Sequence, residues 1–254
     1  MISHKNVLWT IESLFGQMIP ATKFPRIVSY LPMAHIAARA GDHYQAIYRI
    51  GQIFPVPVLE DMRDALPTIK PSVFLAVPRV WEKFKAGLEA RIEENPKKDL
   101  IAKAIQNGLE KVDYEQKGES VPFMVGLKDK IFAKLVFSKF KEGLGIVDTE
   151  YFVTAAAPMN KDVHRWFHAI GIDVTEIYGM TEDTGPATIG VPGNAVESFE
   201  KRLKVDSIKV PSVLNPIGKV GIPIPGTEVK VMEDGELCIN CLLYTSPSPR
   251  DYPG

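Results

Sequence analysis

Short apolar runs bounded by Pro, Gly and polar residues alternate, over the first two thirds of the chain, with stretches whose apolar positions recur every three or four residues. The first pattern is that of buried strands and the second that of amphipathic helices, so their alternation predicts an α/β architecture of layered sheets with flanking helices. Strands are expected over residues 28–31, 51–58, 73–77, 151–154 and 172–177. Helices are expected around His35, over 61–66, from Pro78 onward and over 160–170. The run from Trp81 to Lys141 is rich in charge and helix formers, and it breaks at Asn95-Pro96 and again over 118–122. The strand, helix and strand between Tyr151 and Ile177 read as a βαβ unit with a parallel pair. Residues 192–219 read as an irregular loop, strand-and-turn texture returns from Val220, and there is no internal repeat.

Composition narrows the function without choosing it. The 254 residues suffice for one large domain or two smaller ones. A net charge of −1 supplies no basic field for nucleic acid. No stretch is long and apolar enough to span a bilayer, the first residues lack a leader's apolar core, and only two cysteines are present. The expectation is a cytoplasmic protein in a reducing compartment. Cys238 and Cys241 form a lone Cys-x-x-Cys without further ligands for zinc, so Cys238 is expected to pack inside a strand. His164 and His168 share a helix face but have no carboxylate between them, which leaves them as structural histidines. From Leu127 to Lys141 five lysines interleave with large apolar residues. Two readings fit: a surface helix with its apolar stripe in the core, which is preferred, or a helix lying peripherally on an anionic membrane.

The chemistry concentrates in Tyr178-Gly179-Met180-Thr181-Glu182-Asp183-Thr184-Gly185, which follows the β-branched run ending at Ile177. A strand is expected to end there in a tight turn. An aromatic ring that can stack on a base, a glycine that admits close backbone approach, a hydroxyl for phosphate and a carboxylate for Mg²⁺ would then lie together. The plainer alternative is a turn glycine followed by Thr181, Glu182 and Asp183 capping a helix.

Tyr-Gly-x-Thr-Glu resembles the signature of the adenylate-forming (AMP-binding) enzymes, and the longer string from Glu176 to Pro186 is most similar to long-chain fatty acid–CoA ligases of the bubblegum type. Further segments resemble that family in order. These are Leu31-Pro32-Met33-Ala34-His35, Val77-Pro78-Arg79-Val80-Trp81-Glu82-Lys83, Ala155-Ala156-Ala157-Pro158, and Gly221 to Lys230 with Gly235-Glu236-Leu237.

The resemblance covers about residues 1–240 and implies a two-step reaction. A fatty carboxylate attacks the α-phosphorus of ATP, and the thiol of coenzyme A then displaces AMP from the acyl-adenylate. It implies that Tyr178 stacks on adenine, with Ala156, Ala157 and Pro158 shaping the base pocket and Glu176, Ile177 and Gly179 completing it through backbone. Thr181 would contact phosphate, Glu182 would ligate Mg²⁺, and His35 would line the carboxylate end of the acyl pocket. Read without the family, His35 is a satisfied histidine at a helix start. The implied partners are ATP, coenzyme A and a long-chain fatty acid, with no nucleic acid.

Departures from the family pattern are equally specific. The Gly-rich phosphate loop, the ribose-binding Tyr-x-Thr-Gly-Asp segment and the C-terminal domain with its lysine have no counterpart here. The expectation is therefore a central portion of a ligase that does not complete the reaction alone. Residues 1–214 would be part of the large N-terminal domain, 215–240 the start of a small β subdomain, and 241–254 a non-native tail. The alternatives are an adenylating enzyme for another carboxylic acid and a noncatalytic nucleotide- or lipid-binding remnant.

Overall fold

The structure is a computed structural model and describes residues 2–19, 23–191, 213 and 215–240. Its centre is a seven-stranded sheet in the order β2-β1-β3-β4-β5-β6-β7. The strands are β1 (Arg26–Ser29), β2 (Gln52–Pro55), β3 (Val73–Ala76), β4 (Tyr151–Thr154), β5 (Val174–Met180), β6 (Gly185–Ile189) and β7 (Ile222–Pro223). The first five are parallel, and β6 and β7 add antiparallel at one edge. A separate hairpin pairs β8 (Glu228–Val231) with β9 (Leu237–Asn240).

Successive residues of a strand face opposite sides, and both sides of this sheet are covered. Val73 and Leu75 of β3 pack with Tyr151 and Val153 of β4 on one face, while Phe74, Ala76 and Phe152 pack on the other. The first face is closed by α1 (His4–Ile11) and the π-helical turn that continues it (Glu12–Met18), through Ile11, Leu14, Phe15 and Met18. Ser3 and Asn6 start α1 with a reciprocal cap: Asn6 N donates to Ser3 Oγ (3.3 Å) and Ser3 N to Asn6 Oδ1 (2.8 Å). The sequence pattern did not announce this helix. The same face carries a continuous helical rod of α2 (Ile36–Ala38), a π-helical stretch (Arg39–Tyr44) and α3 (Gln45–Arg49), which leads from β1 back to β2.

The opposite face holds the larger core. It is covered by α4 (Met62–Ile69), α5 (Pro78–Glu93), α6 (Lys98–Lys117), α7 (Phe123–Phe132), α8 (Ser138–Leu144) and α9 (Lys161–Ala169). Trp81 is its centre: fully buried, it meets the rings of Phe74, Phe84, Phe152 and Phe167 within 6.2 Å and donates Nε1–H to Ala76 O (3.2 Å). Helices α6 and α9 pack closely at Gly108, where a Cβ would stand 2.8 Å from the carbonyl carbon of Ala169.

The βαβ unit, the parallel pairing of β4 with β5 and both helix breaks stand as expected. Three details differ. β5 runs on through Tyr178, Gly179 and Met180, because pairing with β6 extends the ladder past the expected turn. The segment from Phe123 to Lys141 divides its apolar residues: Phe132, Val136, Phe137 and Phe140 pack on the core as expected and Val125 is buried, while Phe123, Leu127, Ile131 and Leu135 form a second, exposed row. Cys238 lies in β9 but is exposed, since among the described residues no layer covers the two-stranded hairpin there. The loop over 192–219 falls largely outside the described residues, as do Cys241 and the tail over 241–254.

Candidate functional site

In an open parallel sheet the carboxyl ends of the strands are where loops can gather around a ligand. Here the segments leaving β1, β4 and β5 meet at that edge. After β4 the chain turns through Ala155, Ala156, Ala157 and Pro158, with Ala156 at φ +74°, a left-handed conformation that costs a Cβ-bearing residue about 1–2 kcal/mol. Two anchors hold the turn. Asn160 caps α9 by accepting from Asp162 N (2.8 Å) and Val163 N (3.3 Å), and Met159 N donates to Glu176 Oε1 (3.0 Å). Ala156, Ala157 and Pro158 are left exposed as an open lip.

Beside the lip, β5 and β6 fold over each other. Their register shifts between Tyr178 and Gly179, and Gly179 lies so close to β6 that a Cβ would run into the Gly185 carbonyl and come within 2.7 Å of Pro186 Cα. A glycine is required there for close approach alone. Thr181, Glu182 and Asp183 form a single 3₁₀ turn, and Thr184 (φ +61°) and Gly185 (φ +129°) reverse the chain into β6. Thr181 and Glu182 are exposed and Tyr178 is half-buried. No helix follows, so the capping alternative for Thr181 and Glu182 falls away.

On the other side His35 caps α2, its Nδ1 accepting from Ala37 N (3.1 Å). Its loop is fixed by Arg39 Nε donating to Met33 O (2.8 Å) and by Val77 N donating to the phenol oxygen of Tyr30 (3.1 Å). Burial pushes that phenol up to about 12.

Between these segments lies a cleft of about 90 Å³ that is partly open to solvent. It brings together His35, Ala156, Ile177 and Gly179 from the sequence expectations, with Gly185 and Pro186 at the same end. From there it runs under the α2–α3 rod, and its walls are apolar: Leu14, Phe15, Val73, Leu75 and Val153. Ala157, Pro158, Tyr178, Thr181 and Glu182 stand outside this lining. The wall residues were missed by sequence reasoning, though the alternation in β3 and β4 already put Val73, Leu75 and Val153 on one face.

Glu176 is turned away from the cleft. Its side chain lies under α9, where Oε2 has no hydrogen-bond partner and stands 3.9 Å from the likewise unpartnered Nδ1 of His164. Burial holds the Glu176 carboxyl above the usual carboxylate range. Burial, reinforced by His168, pushes His164 down to about 4, and its Nε2 stays with Val174 O at 2.7 Å. Asp42 of the rod is also buried, and its carboxyl is pushed up to about 6 despite a hydrogen bond with Ser29.

Among the described residues there is no cluster of three His, Cys, Asp or Glu side chains fit to hold a metal. Magnesium that arrives with a nucleotide needs only one or two protein carboxylates, its other ligands being phosphate oxygens and water. A single exposed carboxylate at the turn, Glu182, fits that requirement.

A parallel-dominated sheet with an exposed small-residue lip, a Tyr-Gly-x-Thr-Glu hairpin and a cleft at its carboxyl edge has the architecture of the N-terminal domain of adenylate-forming enzymes. The family model "AMP-binding enzyme" matches residues 1–240, and the chain belongs to that family. Over 245 residues it is 33% identical to a Mycobacterium tuberculosis (strain ATCC 25618 / H37Rv) protein that carries the name fatty-acid–CoA ligase fadD11, a match covering 94% of this chain and 38% of that protein. Over 203 residues it is 33% identical to the long-chain-fatty-acid–CoA ligase ACSBG2 of Rattus norvegicus, covering 74% of this chain and 29% of that one. The chain thus spans well under half the length of these relatives. Among solved structures it is similar in fold to the inhibitor-bound N-terminal domain of FACL13 from Mycobacterium tuberculosis (TM-score 0.54, 17% identity, 93% of this chain and 42% of that one). It is also similar to a benzoate CoA ligase from Burkholderia xenovorans LB400 (TM-score 0.56, 14% identity, 95% of this chain and 38% of that one).

Proposed function

We propose that this chain is the central portion of a long-chain fatty acid–CoA ligase, which joins a fatty acid to coenzyme A through an acyl-adenylate. The observation that carries the reading is the apolar cleft, which opens beside the Ala156 lip and the Gly179–Gly185 hairpin and continues between the sheet and the α2–α3 rod. A chain bound there would present its carboxylate at the end where the nucleotide signature lies. Each methylene removed from water contributes about 0.8 kcal/mol, so the walls favour long acyl chains.

In this reading the lip of Ala156, Ala157 and Pro158 and the ring of Tyr178 hold the adenine, with the backbone of Glu176, Ile177 and Gly179 completing the pocket. Thr181 contacts phosphate, Glu182 holds the Mg²⁺ that neutralises phosphate charge, and His35 lines the carboxylate end of the cleft. A carboxylate oxygen then attacks the α-phosphorus in line and expels pyrophosphate. Carboxylate is a weak nucleophile, so the protein's contribution is positioning and charge stabilisation. The CoA thiol subsequently displaces AMP. The division falls between a partial AMP-binding domain over residues 1–214 and the start of a small β subdomain over 215–240, which includes the β8–β9 hairpin, and the protein works in the cytoplasm.

The test uses the full-length gene product with ATP, Mg²⁺, coenzyme A and competing acids, with product read by mass spectrometry. Palmitate should exceed acetate and benzoate by a large margin in kcat/KM; equal turnover of acetate, or faster turnover of benzoate, rejects the long-chain reading. Glu182→Gln should slow pyrophosphate release about 10²-fold or more while the fold is retained. Release near the wild-type rate removes Glu182 from the phosphate site.

A further inference from the structure

We propose that the exposed face of α7 and of the π-helical turn that continues it (Ala133–Phe137) docks on an anionic lipid bilayer. Phe123, Leu127, Ile131 and Leu135 follow one another at intervals of four, with 78%, 41%, 48% and 60% of their surfaces exposed, and Met124 beside them is 56% exposed. At about 100° per residue these five side chains share an arc of roughly a quarter to a third of the helix circumference. Exposed Lys130 borders the arc on one side and exposed Lys128 on the other, and exposed Lys134 falls within it near the Phe123 edge.

Charge decides the kind of partner. Asp129 is the one acid between Phe123 and Leu135, and it points inward into an ion pair with Lys111 (2.9 Å). The docking face therefore carries cations around an apolar centre and no carboxylate. That arrangement matches a bilayer whose headgroups are negative and whose interior accepts the apolar side chains. A water-filled environment gives such a row no partner.

The helix is held by its other face, so the exposed stripe does not reflect a failure to dock. Val125, Val136 and Phe137 are buried, and Asn107 Nδ2 on α6 donates to Val125 O (3.2 Å). Substitutions on the outer row consequently leave the packing alone. The inference does not rest on the ligase reading, because vesicle binding is measured without turnover.

The test is sedimentation of the full-length gene product with vesicles of phosphatidylcholine alone or with about a third phosphatidylglycerol. Partitioning onto the anionic vesicles should be roughly tenfold or more higher and should fall as salt rises. The pair Ile131→Glu and Leu135→Glu should abolish it, with the urea midpoint and circular dichroism unchanged. The pair Lys128→Gln and Lys134→Gln should weaken binding and flatten its salt dependence. Equal partitioning onto both vesicle types overturns the proposal, as does full binding by the glutamate pair. So does absence of vesicle binding together with a self-associated species in light scattering that the glutamate pair dissociates, which would make the face a protein interface.

Discussion

Replacing Gly179 by alanine adds one methyl group where β5 and β6 cross most tightly. The new Cβ would collide with the Gly185 carbonyl and stand 2.7 Å from both the carbonyl carbon of Gly185 and Pro186 Cα. Nonbonded carbons settle at about 3.5–4.0 Å, so the strands must part by about an ångström. All three atoms are backbone and cannot rotate aside, which places the cost at the upper end of the overpacking range, about 3 kcal/mol. With a urea dependence of about 1–3 kcal/mol per molar, the midpoint should fall by at least about 1 M. Gly179 and Gly185 both line the cleft, so AMP binding, read by calorimetry, should weaken beyond the change in stability. Gly87 in α5 is the matched control, since nothing lies within 4 Å of its added Cβ. Gly87→Ala should raise stability by about 0.5–1 kcal/mol through helix propensity. A Gly179→Ala protein with an unchanged urea midpoint would refute the close-approach argument.

Other perturbations follow from the buried groups. Trp81→Ala removes the ring at the centre of the aromatic cluster and should cost about 3–5 kcal/mol in chemical denaturation; a loss under about 1 kcal/mol would mean that the core does not depend on it. Glu176→Leu strands the Met159 amide and should be at least about 1 kcal/mol less stable than Glu176→Gln, which keeps the acceptor, with urea midpoints deciding between them. The Asp42 carboxyl is raised to about 6 in the fold, so the folded state holds its proton more tightly than the unfolded state. Its contribution to stability is therefore present below pH 4 and is lost as the pH rises from about 4 to 6, by at most about 3 kcal/mol. Asp42→Asn should flatten that part of the stability–pH curve, and a curve that keeps the same slope would rule out this carboxyl.

What the sequence determined is what depends on neighbours along the chain. Runs such as Val73–Ala76 and Tyr151–Thr154 contain β-branched and aromatic residues between turn residues, so strand and boundary are both local facts. The breaks before Lys98 and Phe123 follow from Asn95-Pro96 and from Gly118 and Pro122. The signature at Tyr178 to Glu182 was legible as chemistry, and His35 as a helix start, because both are statements about residue types at fixed spacing.

The tertiary structure decided everything that depends on what lies across from a residue. β5 extends through Met180 because β6 returns beside it, and that close return imposes Gly179. Glu176, two residues before Tyr178, went under α9 because strand alternation puts it on the face of Val174, opposite the one that Ile177 shares with the cleft. The cleft itself is assembled from α1's continuation, the α2–α3 rod and four strands, and no single segment contains its pattern. Periodicity could show that α7 has an apolar stripe but could not orient it. A helix with hydrophobic residues on two sides buries the one that finds a complementary surface, here Val125 against α6, and leaves the other in contact with solvent.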